Sequence, residues 1–259
     1  MLGIIKNNRS NIVMENYFYF ICLESNIALL REEIKLFAPE LKPSFSKKNF
    51  LTYKASQLPD YDFAFALEWG LNNDVSQESI ENKLKCTQSE KIPEGAPSRA
   101  YLKIAEACQK YEINDPSLHW IEFGSAPGGA SYYLCQNFHQ VTGVDPAEMS
   151  PIVLNHEKFL HIKKPIQNLR PSDFDFKGYQ FITSDLNLNP KQAIKEVLRC
   201  SQFFRSIQGI FMTVKIVKKD HVKHIPKFCQ SFRNAGFKHI QKCQLPSHKQ
   251  EFLIYASKQ

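Results

Sequence analysis

The chain has 259 residues, 43% of them hydrophobic and 12% aromatic, enough to bury a substantial core and too apolar for a disordered or low-complexity chain. No stretch reaches the roughly 18 apolar residues of a membrane span, and the apolar run 17–22 is too short for a signal-peptide core, so neither membrane insertion nor secretion is expected. The net charge of +7 is unevenly placed: residues 191–259 hold 14 Lys and Arg against Glu196, Asp220 and Glu251, a local +11, so residues 1–190 sum to −4. Such asymmetry points to a polyanionic partner.

In chain order, residues 1–15 are polar and aperiodic and read as a frayed end. Residues 17–24 form a strand-like aromatic run. Ser25 is placed to cap a helix over 26–37, whose apolar residues recur at helical spacing and which Pro39 and Pro43 terminate. Strands are expected near 50–54 and 63–68 and a helix near 77–84. This order predicts a small α+β module over 16–90, part of a ferredoxin-like arrangement. Residues 91–97, with two prolines and a glycine, read as a linker.

From residue 98 the rhythm becomes helix and strand in alternation. Helices are predicted over 98–111, 130–138, 191–204 and 220–235, and strands over 119–123, 141–144, 159–162, 179–183, 209–215, 237–243 and 251–256. The pattern calls for an α/β domain with a mostly parallel, Rossmann-like sheet over 98–259, and the last two strands form an antiparallel hairpin at its edge. Seven cysteines are dispersed without a C-x-x-C pair, and the histidines at 221, 224, 239 and 248 fit no standard metal spacing. The cysteines suit buried thiols in a reducing cytoplasm, the histidines added phosphate contacts, and no metal is expected.

The turn after the first strand of this domain, Gly124, Ser125, Ala126, Pro127, Gly128 and Gly129, lets a ligand approach the backbone closely. It lacks the Lys-Ser/Thr of a P-loop and the second glycine of G-x-G-x-x-G. Asp145 ends the next strand 21 residues beyond Gly124, where a carboxylate can accept two hydrogen bonds from a ribose diol. The implied ligand is an adenosyl group without a pyrophosphate, which favours S-adenosylmethionine. Gln167, Asn168 and Asp173 follow the third strand as candidates for the adenine contact, Asn168 preferred.

The Ala-Pro-Gly-Gly loop resembles that of the FtsJ-like (RrmJ-type) ribose 2′-O-methyltransferases. The segments around Lys103, Asp185, Lys215 and Glu251 resemble, in order, that family's Lys-Asp-Lys-Glu set. The resemblance covers about 96–259 and implies a class I methyltransferase fold with a seven-stranded sheet. It also implies S-adenosylmethionine, bound by the loop, Asp145, Asn168 and Asp185, and RNA as substrate, gripped by the basic C-terminal half. A ribose hydroxyl is a poor nucleophile, so it must be aligned with the methyl donor and lose its proton. Lys215 is the candidate general base or hydroxyl-orienting group, and Asp185 and Glu251 position the lysines. Within the family the chain is similar to the RlmM branch, which acts on 23S ribosomal RNA and carries an N-terminal THUMP-type region. Its own N-terminal segment is shorter, and Ala130 and Ser131 replace the residues that commonly follow the loop. Two other readings compete: a catalytically inactive RNA-binding or assembly protein on the same fold, and a small-molecule methyltransferase, which the local +11 disfavours.

Overall fold

A computed structural model describes residues 16–72, 81, 82, 84–87, 90–216 and 218–258. The expected frayed end at 1–15 and most of the expected helix at 77–84 lie outside these residues, although 81, 82 and 84 are helical.

The first sheet contains β1 (Asn16–Ile21), β2 (Lys42–Lys47), β3 (Phe50–Ala55) and β4 (Glu68–Leu71) in the order β2-β3-β1-β4, with every neighbouring pair antiparallel. This is the strand order of a ferredoxin-like sheet, with a loop over 56–67 where that arrangement has its second helix. Helix α1 (Ile27–Phe37) covers it through Leu29, Leu30 and Ile34. Ser25 does not cap this helix. It lies in a 3-10 turn, Glu24–Asn26, and the first turn of α1 has no side-chain cap.

The expected strand at 63–68 is also different. Phe63, Ala64, Phe65 and Ala66 are buried in a loop, because the Glu33 carboxylate accepts the backbone N–H groups of Ala64 (2.8 Å) and Phe65 (3.1 Å) that a strand partner would have taken. Tyr61 donates to the same carboxylate at 2.9 Å.

The second sheet contains β5 (His119–Phe123), β6 (Gln140–Val144), β7 (Phe159–Ile162), β8 (Phe181–Ser184), β9 (Gly209–Lys215), β10 (His239–Cys243) and β11 (Glu251–Ser257) in the order β10-β11-β9-β8-β5-β6-β7. β5 to β9 are mutually parallel, whereas β11 runs antiparallel between β9 and β10. The final hairpin therefore forms as expected, but only β10 is an edge strand. Helices α2 (Ala100–Lys110) and α3 (Gly129–Asn137) cover one face, over Trp120, Phe181 and Phe211. After the short α4 (Pro151–Leu154), α5 (Pro190–Ser201) and α6 (Ile225–Asn234) cover the other, over Ile182, Ile210 and Met212. Both faces being buried explains the near-continuous apolar strands.

The two sheets share one core. Phe18, Phe20, Leu30 and Phe65 belong to the same buried cluster as Val222, Ile225, Phe252 and Ile254, and Phe65 meets Phe252 edge to face at 5.6 Å. The loop between β10 and β11 adds polar ties. Gln244 N–H donates to the Ala66 carbonyl at 3.2 Å, Gln244 Oε1 accepts from Leu23 N–H at 3.3 Å, and Asn26 donates to the Lys249 carbonyl. Cys22, Cys108, Cys135, Cys200, Cys229 and Cys243 are free and buried. No helix among the described residues is long and apolar enough to cross a membrane.

Candidate functional site

Strand order reverses between β5, with β6 and β7 on one side, and β8 with β9 on the other. The carboxyl ends on either side of that point leave a crevice, the place where open α/β sheets bind ligands. The glycine loop follows β5, Asp145 follows β6, Asp185 follows β8 and Lys215 ends β9. Glu251 begins the antiparallel β11 and stands opposite Lys215 in the register, so strand reversal brings its amino end to the same edge. Lys103 reaches the edge from α2.

These four side chains meet. Lys103 Nζ is 2.8 Å from Asp185 Oδ2 and 2.8 Å from Glu251 Oε1, and Lys215 Nζ is 3.3 Å from Asp185 Oδ1. Exposure falls from 29% for Lys215 and 21% for Asp185 to 15% for Lys103 and 9% for Glu251, so Lys215 is the member most open to a ligand. Burial raises the Asp185 pKa, but the Lys103 and Lys215 ammonium groups outweigh it and hold the carboxyl below its ordinary range. Burial likewise opposes the charge on Lys103, while Asp185 and Glu251 overcome that cost and raise its pKa. Lys103 is therefore a fixed cation between two acids.

The loop is built against this cluster. Gly124 has φ +81°, and a Cβ there would sit 3.1 Å from the Asp185 carbonyl oxygen. Gly128, at φ +112°, precedes α3, whose first turn has no side-chain cap. A Cβ on Gly129 would lie 2.2 Å from Ser98 Oγ and 2.6 Å from the Ser98 carbonyl oxygen. Ser125 is buried with its hydroxyl 3.5 Å from Met149 sulfur, and the Ala126–Pro127 peptide is cis. Asp145 Oδ2 accepts from Ala126 N–H at 3.2 Å and Oδ1 from Ala147 N–H at 2.8 Å, which fixes the carboxylate beside the loop. Asn168 lies exposed in a 3-10 turn beyond β7, and no side-chain hydrogen bond among the described residues ties it to the loop. Asp173 is already engaged with Lys164 (2.7 Å) and Arg170 N–H (2.9 Å).

Glu122 escaped the sequence reading, and His248 was expected only as a phosphate contact. Glu122, in β5, is 1% exposed and accepts from Ser131, one of the two departures after the loop. Burial, joined by the nearby Asp185 and Asp145 charges, pushes its pKa up to about 8, so it keeps its proton at neutral pH. The available signal was an acid inside an otherwise apolar strand. His248 is 2% exposed; its Nδ1 accepts from Leu245 N–H at 3.2 Å, and its Nε2 has no partner among the described residues. Burial and Lys103 lower its pKa to about 3, leaving a neutral ring that cannot make the phosphate contact expected of it.

The raised Glu122 pKa has a definite sign. A carboxyl at about 8 folded and near 4.5 unfolded gives stability that is full below pH 4.5 and is lost as pH rises to 8. Urea unfolding of the wild type should fall by about 1.4 kcal/mol per pH unit more steeply than that of Glu122→Gln between pH 5 and 8. Parallel profiles would show that the carboxyl ionises in the fold.

Residues 96–257 match the model of the FtsJ-like methyltransferases. Ribosomal RNA large subunit methyltransferase M of Methylococcus capsulatus is 30% identical over 87 residues, covering 32% of this chain and 25% of that protein. The protein of the same name from Halorhodospira halophila is 23% identical over 172 residues, 64% of this chain and 48% of its own. The chain thus matches a quarter to a half of the length of these relatives. Among solved structures, a hemolysin candidate from Streptococcus thermophilus aligns with a TM-score of 0.53 at 13% identity, over 92% of this chain and 89% of that one. Another from Lactococcus lactis aligns at 0.52 and 14%, over 64% and 90%. At such identities these likenesses speak to the fold alone.

Proposed function

The chain belongs to the FtsJ-like methyltransferase family, and from that premise we propose that it is an S-adenosylmethionine-dependent RNA ribose 2′-O-methyltransferase acting on ribosomal RNA. The observation that carries the reading is the convergence of Lys103, Asp185, Lys215 and Glu251 beside the glycine loop. The curated relatives that methylate large-subunit RNA support the choice of substrate.

The residues fit the methyl donor. Gly128 and Gly129 stand where added side chains would strike Val153 and Ser98, the α3 amides have no side-chain cap, and Asp145 is held by two backbone donors with lone pairs to spare for a ribose diol. When bound, S-adenosylmethionine supplies an electrophilic methyl group on sulfur. Asp145 would hold its ribose diol. Asp185, kept ionised by its two lysines, and Lys103, kept protonated by its two acids, form a fixed charge frame at the edge of the loop. Lys215, the most exposed of the four, would orient the attacking 2′-hydroxyl as an ammonium and, only in its unprotonated form, take up that hydroxyl's proton as the O–C bond forms and the S–C bond of the donor breaks.

The decisive experiment incubates the protein with S-adenosylmethionine and ribosomal RNA lacking the modification, then digests the RNA to nucleosides for mass spectrometry. A 2′-O-methylnucleoside is expected, whereas cofactor and RNA binding without product would favour the inactive RNA-binding alternative. Asp145→Ala should weaken S-adenosylmethionine binding by roughly 10- to 100-fold in calorimetry, the loss of hydrogen bonds to a charged acceptor. Unchanged affinity would remove Asp145 from the ribose site.

A further inference from the structure

Beyond the crevice, the segments that follow the two central catalytic strands form a basic trough. α5 begins shortly after Asp185 and a 3-10 turn, Lys219–His224, follows Lys215 before leading into α6. Between them lies a cavity of about 410 Å³ lined by Asn189, Lys191, His221, His224, Lys227 and Ser231. A second cavity, of about 510 Å³, shares Lys191, Phe228 and Ser231 with it and continues between the two helices past Lys195. The trough thus starts at the catalytic edge of the sheet and runs outward.

Its charge is available. Lys191, Lys195 and Lys227 are exposed, and no ion pair among the described residues holds any of them. Arg199, at the far end, is committed instead to Glu196 and to the carbonyls of Ile166 and Leu169. Asp220 is the acid on the rim, and Lys223 stands 3.8 Å from it. His221 Nδ1 is shielded from water and meets no partner among the described residues. The amino ends of α5 and α6 also open into the first cavity and add positive partial charge. Lys191 and Lys195 are one helical turn apart, a rise of about 6 Å, comparable to the step between consecutive phosphates of a strand.

We propose that this trough is a phosphate-binding path for the single strand of RNA that leaves the reacting ribose, with Lys191, Lys227 and His221 meeting the nearer phosphate and Lys195 the next. The proposal rests on the RNA-methylation reading above and adds to it the route of the substrate. The floor carries Ile194, Leu198, Phe228 and Ala235, while the uncommitted charges on its walls, Lys191, Lys195 and Lys227, are all positive, which suits a sugar-phosphate backbone bound through charge.

The test compares wild type, Lys191→Gln/Lys227→Gln and Lys238→Gln/Lys258→Gln in anisotropy titrations of fluorescein-labelled oligouridylate over a range of salt. The last variant makes the same charge change at the end of β11 remote from Glu251. Lys191→Gln/Lys227→Gln should bind roughly 10-fold more weakly and lose about 1.4 from the slope of log affinity against log salt, two contacts at 0.7 each. S-adenosylmethionine affinity should stay at the wild-type value, showing an intact fold, and KM for RNA should rise while kcat holds. RNA affinity and slope equal to wild type, or an equal loss in Lys238→Gln/Lys258→Gln, would overturn the trough. If wild type yields no methylated RNA while the affinity and slope still fall in Lys191→Gln/Lys227→Gln, the trough stands and the enzymatic reading falls.

Discussion

Lys215→Ala is expected to slow methyl transfer by about 10²- to 10⁴-fold, the usual worth of a positioned proton-transfer group, while S-adenosylmethionine binds within about 2-fold of wild type. The expectation follows from the unequal surroundings of the two lysines. Lys103 is enclosed by Asp185 and Glu251 at 2.8 Å each, so its protons are engaged and its charge is fixed. Lys215 touches the frame on one side, at 3.3 Å from Asp185, and is the more exposed. Single-turnover methylation with saturating cofactor would isolate the chemical step from binding. Lys215→Arg distinguishes charge from proton handling, since a guanidinium keeps its proton throughout the accessible pH range. Activity near wild type in the alanine variant would defeat the assignment, and activity restored by arginine would reduce Lys215 to a source of charge.

The second large effect is on stability. Lys103→Met should cost about 3 kcal/mol at pH 7, because it leaves two largely buried carboxylates facing each other with Lys215 as the remaining cation. The pH dependence carries the sign. Asp185 has a depressed folded pKa, so its stabilisation is present above its ordinary value of 3.8 and fades as pH falls through the folded value. Lys103 has a raised one, so its stabilisation is full below 10.5 and fades above it. The penalty of Lys103→Met should therefore be broad from about pH 5 to 10 and shrink in acid, where Asp185 takes up a proton. Urea midpoints at pH 7 and pH 3 measure both ends. An equal deficit at the two would mean that lost packing, rather than charge, sets the cost.

The larger sheet was legible in the sequence because its strands are apolar runs bounded by turn residues, and burial on both faces makes such runs necessary. β5, β7 and β9 fall where they were expected. In the smaller sheet, β2 went unread: Lys42-Pro-Ser-Phe-Ser-Lys47 is an exposed edge without alternation. The apolar density of 63–66 suggested a strand, but it is the Glu33 side chain, distant in sequence, that takes up two of the amides there. In the site, Lys103, Asp185, Lys215 and Glu251 were legible from their segments, and the structure brings them into contact. Glu251 reaches the cluster through the insertion of β11 between β9 and β10, a non-local pairing that local pattern does not show. Glu122 was missed, and His248 was expected to meet phosphate rather than to be buried, for the same kind of reason. Each matters through what surrounds it, and strand or loop propensity says nothing about a buried proton.

The core common to both sheets bears on how such a protein can change over generations. Phe65 and Phe252 lie on opposite sides of the junction, so a change of volume at one demands an answer at the other. Asn26 and Gln244 make the same demand in hydrogen bonds, because each would leave a buried group stranded if its partner sheet were replaced. The loop carrying these ties leads directly into Glu251. Replacing the small sheet would therefore disturb the edge that carries Lys103, Asp185, Lys215 and Glu251, because the same loop supports both.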